Sequence, residues 1–198
     1  MNHREGRIAI IGCGRSGTTY TSKLFKKAGY SLGHETLERH GISSWYATPN
    51  TWRRCFGPAQ KELRLLNIPR VHQVRHPINA ISSVATFKEK SWDYVARYIP
   101  IEPGDSVLLR SMKYWYYWNL LAEECSLFTY QVEQINSSLG ELLRVGGFDR
   151  MRFDDALLES FPKNVNRRDH GSLTWDNLKT ENPELADRIR ELSRKYGY

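Results

Sequence analysis

The stretch from Arg7 to Ala28 constrains this chain more than any other. Arg7-Ile8-Ala9-Ile10-Ile11 is a continuous, largely β-branched run of the kind that fills a strand buried on both faces. It breaks at a glycine turn, Gly12-Cys13-Gly14-Arg15-Ser16-Gly17-Thr18-Thr19. A helical stretch follows, with Tyr20, Leu24, Phe25 and Ala28 on one face and Gly29 as its stop. A strand feeding such a turn and then a helix aims successive backbone N–H groups, and the positive end of the helix, at one point. That is a cradle for an anion. Gly12, Gly14 and Gly17 let the backbone approach a ligand closely or take positive φ.

The rest of the chain repeats the strand-then-helix order. Tyr30-Ser31-Leu32-Gly33 reads as a short second strand running out into His34-Glu35. Val71-His72-Gln73-Val74 reads as a strand closed by Arg75-His76-Pro77, with Ile78, Ile81, Val84 and Ala85 at helical spacing after it. Asp105 or Ser106 is placed to cap a helix over 107–124, and Ser126–Val132 is the third clear strand. Asn182-Pro183-Glu184 starts a final helix whose buried stripe is Leu185, Ile189, Leu192 and Tyr196. Residues 36–68 carry scattered aromatics (Trp45, Tyr46, Trp52) and a helix around 59–66. Strands separated by helices, with few hairpin signals, predict an α/β fold: a three-layer, P-loop-type parallel sheet flanked by helices. The 198 residues are room for one domain, 1–198, and in such a sheet ligands bind at the carboxyl ends of the strands.

Composition narrows the class. Hydrophobic residues make up 40% of the chain and charged residues 26%, enough apolar surface for a real core, which excludes a disordered chain. The longest apolar run near either end is Ile8–Ile11, far short of the roughly 20 residues that span a bilayer. A soluble, unexported, cytoplasmic protein is expected. Cys13, Cys55 and Cys125 cannot pair completely and show no metal-ligand spacing, so neither a disulfide scaffold nor a structural zinc site is expected. Lys plus Arg total 29 against 22 for Asp plus Glu, a formal charge of +7 that favours an anionic partner. The cations are spread among acids rather than gathered with aromatics into a stripe, which argues against nucleic acid.

The glycine turn almost satisfies the nucleoside-triphosphate pattern GxxxxGK[ST], from Gly12 to Gly17, but places Thr18 where that pattern demands lysine. Without a lysine to reach the β- and γ-phosphates, the loop is a poor triphosphate site. Its cation sits three residues earlier, at Arg15, inside the turn, where a shorter anion or its leaving atom would lie.

Arg15-Ser16-Gly17-Thr18-Thr19 directly after a buried strand resembles the 5′-phosphosulfate loop of sulfotransferases, enzymes that use 3′-phosphoadenosine 5′-phosphosulfate (PAPS). The resemblance implies that Gly14, Arg15, Ser16, Gly17, Thr18 and Thr19 hold the 5′-phosphosulfate, with Arg15 neutralising the bridging oxygen as its bond to sulfur breaks. The family's 3′-phosphate site is an arginine ending a strand with a serine eight positions on, matched here by Arg75 and Ser83. An arginine fork and a helix hydroxyl suit one phosphate. Phe128–Ile135 is similar to the family's Tyr-x-x-Glu-Asp-Leu strand end, with Gln134 in place of the aspartate. Asn166-Arg167-Arg168-Asp169-His170-Gly171 lies where relatives carry a basic loop over the 3′-phosphate, which implies Arg167 or Arg168 as a further contact.

Transfer of a sulfuryl group needs alignment, charge on the leaving group and a base for the acceptor's proton. Glu35, 20 residues after Arg15, stands close to the glutamate base of the tyrosylprotein branch; it is the first candidate, and His34 beside it is the second. The resemblance therefore implies a PAPS-dependent sulfotransferase acting on a hydroxyl or amine, without a metal, and releasing 3′-phosphoadenosine 5′-phosphate (PAP). The acceptor is not specified by these residues. Its pocket, shaped by 36–68 and 88–105, is either open or completed by a second copy in a homodimer. Two other classes compete: a small-molecule kinase of P-loop type, and a non-catalytic nucleotide-binding module. The aromatic run Tyr114-Trp115-Tyr116-Tyr117-Trp118 reads chiefly as core, since a helix aromatic all round must bury most of its rings.

Overall fold

The computed structural model describes residues 6–48, 68–149, 152–162 and 172–198. The helix expected around 59–66, Trp52, Cys55 and the loop with Arg167 and Arg168 lie outside these residues. Strand β1, Ile8–Ile11, sits at the centre of a five-stranded sheet. Its partners are β2 (Gly33–His34), β3 (Gly41–Ser43), β4 (Arg70–Val74) and β5 (Thr129–Gln131), in the order β2-β3-β1-β4-β5, and every pairing is parallel. Ala9 pairs with Ile42 on one side and Arg70 on the other. The strand order therefore reverses at β1, and a crevice opens beyond its carboxyl end.

The pleat assigns β1 to two layers. Ile8 and Ile10 face a core with Leu24 and Phe25 of α1 (Thr18–Lys27), into which Leu139 and Leu142 of a later helix, Ile135–Gly146, also pack. Ala9 and Ile11 face the opposite layer, against Ala122. On that second side α2 (Pro77–Val84), α3 (Glu89–Val95) and the long α4 (Val107–Glu124) contribute Ile81, Trp92, Trp115 and Trp118. The helix Ile135–Gly146 is α5, followed by α6 (Asp155–Ser160), α7 (Trp175–Glu181) and α8 (Pro183–Lys195). Helices thus cover both faces of a parallel sheet. No described helix is long and apolar enough to cross a membrane.

Local chemistry sets the element ends. Ser106, rather than Asp105, caps α4: its Oγ accepts from the Leu109 amide at 3.0 Å, while Asp105 pairs with Lys113 at 2.7 Å. Asn182 caps α8 by accepting from Leu185 N at 2.9 Å, with Pro183 in the first turn; such a cap contributes about 1 kcal/mol. The expected strand at Tyr30–Gly33 is shorter and later, because Tyr30 and Leu32 turn into the α1-side core and pairing with β3 starts only at Gly33. The expected strand 126–132 shrinks to Thr129–Gln131, its end winding into a 3₁₀ turn over Val132–Gln134. His72, fully buried in β4, lies 3.1 Å from Asn119 Oδ1 and 3.0 Å from Thr129 Oγ1, and burial pushes it down to about 4. It is a neutral, satisfied core histidine.

Candidate functional site

The Gly12–Thr19 turn leaves the carboxyl end of β1 and enters α1 at Gly17, whose φ of 96° is left-handed. A Cβ at Gly17 would lie 2.8 Å from Val132 Cγ2, so both backbone and space call for glycine. Arg15 is also left-handed, at φ 69°. Among the described residues no side chain caps the N-terminus of α1, and no acidic residue occupies its first turn. An uncapped, acid-free helix start facing a crevice is an electropositive place.

Three side chains, one from α4 and two from β4 and its end, hold the turn in this shape. The hydroxyl of Tyr114, fully buried in α4, accepts from the Gly14 amide at 2.6 Å. Gln73 Nε2, from β4, donates to the carbonyl oxygen of Ser16 at 2.7 Å. Arg75 Nη1, just past β4, donates to the carbonyl oxygen of Arg15 at 3.1 Å. Within the turn, Ser16 N donates to Cys13 O at 3.2 Å.

In front of the turn lies a cleft of about 890 Å³, within the roughly 300–1,000 Å³ of sites that enclose small ligands. Gly14, Arg15, Gly17, Thr18, Thr19, Arg75, Ser83, His34 and Glu35 all line it. Nearly every described residue singled out from the sequence therefore meets in one place, although these residues come from the turn, the end of β2, the end of β4 and helix α2. Ser16 is the exception: its side chain is fully buried under the turn, and Oγ has no hydrogen-bond partner among the described residues. Arg15 donates through Nη2 to Thr86 Oγ1 at 3.3 Å, with its guanidinium 5.4 Å from the Phe87 ring centroid. Lys88 and Lys90 add positive charge at the rim, opposed by Glu89.

Glu35 and His34 sit opposite. Glu35 takes a left-handed φ of 62°, which turns its side chain back into the cleft past the end of β2. Its Oε2 accepts from Ser44 Oγ at 3.0 Å. Burial pushes the carboxyl up from its ordinary 4.5 to about 7, against the Ser44 hydrogen bond. His34 Nε2 lies 3.0 Å from Thr19 Oγ1 and 3.3 Å from Thr18 Oγ1. Burial, then Lys26 and Lys23, hold its pKa below the usual 6.5. The 3.4 Å contact between His34 Nε2 and Glu35 Oε1 has the geometry of an ion pair. The two shifts speak against one, since burial opposes charge on both groups and neither is stabilised by the other; near pH 7 the imidazole is neutral.

Aromatic rings complete the wall. Trp45 and Tyr46 line the cleft beside Glu35, with ring centroids 3.8 Å apart, and Trp45 O accepts from Trp118 Nε1 at 3.2 Å. The aromatic run of α4 is core, as expected: Tyr114, Trp115 and Trp118 are fully buried. Tyr114 nonetheless also holds the turn, a role that helical spacing does not reveal. Gln73 likewise is not visible in the sequence as a brace; the available signal is an amide next to His72 in the strand Arg70–Val74, which must find buried partners if that strand is central. Among the described residues, no three His, Cys, Asp or Glu side chains converge as a metal site requires.

No family model matches the chain, and no curated protein matches it. Among solved structures it is similar to mouse sulfotransferase SULT7A1 complexed with PAP, at 13% identity and a TM-score of 0.42. The match covers 89% of this chain and 66% of that one, so the chain spans just under two thirds of that neighbour's length.

Proposed function

We propose that this protein is a sulfotransferase that takes its sulfuryl group from PAPS. The observation that carries the reading is the meeting of Arg15 and Arg75 at one cleft, joined by the 3.1 Å hydrogen bond from Arg75 to the Arg15 carbonyl. Two cations from separate strand ends suit a ligand with two separate anionic groups. The donor set fits such a nucleotide: an uncapped helix start, two guanidinium groups, and the hydroxyls of Thr18, Thr19 and Ser83.

In this reading the turn and Arg15 hold the 5′-phosphosulfate, and Arg75 with Ser83 holds the 3′-phosphate. Arg167 or Arg168 is proposed as a further contact to that phosphate. PAPS supplies an activated sulfuryl group on the 5′-phosphate. Glu35 takes the acceptor's proton on its carboxylate, a task for which a pKa near 7 is well matched. Arg15 places positive charge where the departing phosphate gains negative charge. Trp45 and Tyr46 give the acceptor an aromatic wall next to that base.

Calorimetry with the whole chain tests the reading. PAP is expected to bind without Mg²⁺ and ATP only weakly; tight ATP binding that depends on Mg²⁺ would instead support a P-loop kinase. Sulfate transfer from PAPS to a panel of hydroxyl and amine acceptors then separates an enzyme from a nucleotide-binding module.

A further inference from the structure

Gln73 is fully buried on β4, two residues before Arg75, and it does not line the cleft. A buried amide needs partners for both ends. Its Oε1 accepts from Thr21 of α1 and from Tyr130 of β5, each at 2.5 Å. Its Nε2 donates to Ser16 O at 2.7 Å. The orientation of the amide follows from chemistry, because a backbone carbonyl only accepts and the group facing it must be N–H. One side chain thus ties the anion turn to α1, β4 and β5.

The consequence lies one atom further on. Across a planar trans peptide, C=O and N–H point in opposite directions. Holding the Ser16 carbonyl toward Gln73 turns the N–H of the same peptide, that of Gly17, to the other side, where Gly17 lines the cleft. Glycine makes the left-handed φ of 96° easy, but it makes the reverse rotation nearly as easy. A flipped Ser16–Gly17 peptide would present a carbonyl oxygen to the anion. The glycine that permits the cradle therefore needs an outside group to select its working state.

We propose that Gln73 is a positioning residue that locks the Ser16–Gly17 peptide with its N–H toward the bound anion, with Thr21 and Tyr130 fixing Gln73 in turn. Identifying that anion as the 5′ end of PAPS rests on the reading above; the lock itself follows from the turn.

The test is calorimetry on the whole chain with PAP and with adenosine 5′-monophosphate. Gln73→Glu keeps the shape and the acceptor for Thr21 and Tyr130 but removes the N–H. Burial beside the Ser16 carbonyl favours its protonated form, which can donate in place of the amide. At about pH 5.5 the variant is expected to bind like wild type, and at about pH 8 to bind both nucleotides roughly tenfold more weakly. The preference for PAP over the monophosphate should not change, because the lock acts at the 5′ end. The Thr21→Val/Tyr130→Phe double variant, which leaves Gln73 present but unheld, should lose about three- to tenfold at both pH values. Wild-type affinity in the double variant at both pH values overturns the lock, and the double variant decides if Gln73→Glu does not fold or keeps its proton at pH 8. If wild type prefers ATP to PAP, the phosphosulfate reading fails, and the same variants measured with ATP decide the lock. If wild type binds neither nucleotide, both fall.

Discussion

Arg75 reaches back across the sheet to hydrogen-bond the carbonyl oxygen of Arg15, 60 positions earlier in the chain, at 3.1 Å. β1 and β4 are parallel neighbours, paired from Ala9–Arg70 to Ile11–His72, so the turns after them emerge side by side. The sheet therefore delivers both guanidinium groups to one crevice, and Arg75 both shapes the turn and lines the cleft.

Arg75→Ala should weaken PAP binding about 10- to 100-fold, the worth of a charge-assisted contact, and weaken adenosine 5′-monophosphate binding much less. The selectivity between the two nucleotides, read by calorimetry, is the diagnostic quantity. An unchanged ratio would remove Arg75 from the 3′-phosphate.

Glu35→Gln should leave PAP affinity intact and slow transfer by about 10²- to 10⁴-fold. In wild type, the transfer rate should rise with pH through about 7, where the carboxyl ionises. Stability runs the opposite way. The folded pKa lies above the unfolded 4.5, so the folded state holds the proton more tightly. No stability is lost below about pH 4.5; it falls as pH rises toward 7 and then levels off. Above pH 7, Glu35→Gln should be more stable than wild type, by at most about 3 kcal/mol in denaturant titrations.

His34→Asn separates the two base candidates. With its imidazole near the Thr18 and Thr19 hydroxyls, His34 is placed to arrange the turn. The variant should bind PAP a few-fold more weakly with turnover largely kept; a loss of turnover as large as that of Glu35→Gln would make His34 the base.

Tyr114→Phe removes the acceptor of the Gly14 amide and leaves that donor buried without a partner. Urea unfolding should show a loss of about 1–3 kcal/mol. Gly17→Ala, forced to φ 96° with its methyl against Val132, should cost about 1–3 kcal/mol and also lose PAP binding.

Much of this arrangement is legible in the chain, and the failures have a common cause. β1, its turn and α1 stand out because an apolar β-branched run, three glycines and a helical stripe lie within 22 residues of one another. β4 and Arg75, α4 with its cap, and α8 with Asn182-Pro183 are equally visible. β3 is three residues long and β2 two, too short for any periodicity to register. α5 carries a stripe of Ile135, Leu139, Leu142 and Leu143, but the motif reading stops at Ile135 and assigns no helix beyond it. At the site, the anion turn, Arg75, Ser83, His34 and Glu35 are legible, because anion chemistry demands particular types, whereas Thr86, Phe87 and Lys88 of the same cleft carry no such mark. The residues that brace them are not: Tyr114 is 100 positions from Gly14 and Gln73 is 57 from Ser16, and nothing local marks either contact.

The most direct test is a crystal structure of the whole chain with PAP. The 5′-phosphate should lie on the amides of the Gly14–Thr19 turn beside Arg15, and the 3′-phosphate between Arg75 and Ser83, with Glu35 facing the 5′ end. A nucleotide bound elsewhere, or one whose 3′-phosphate leaves Arg75 and Ser83 without contact, would contradict a shared two-arginine grip.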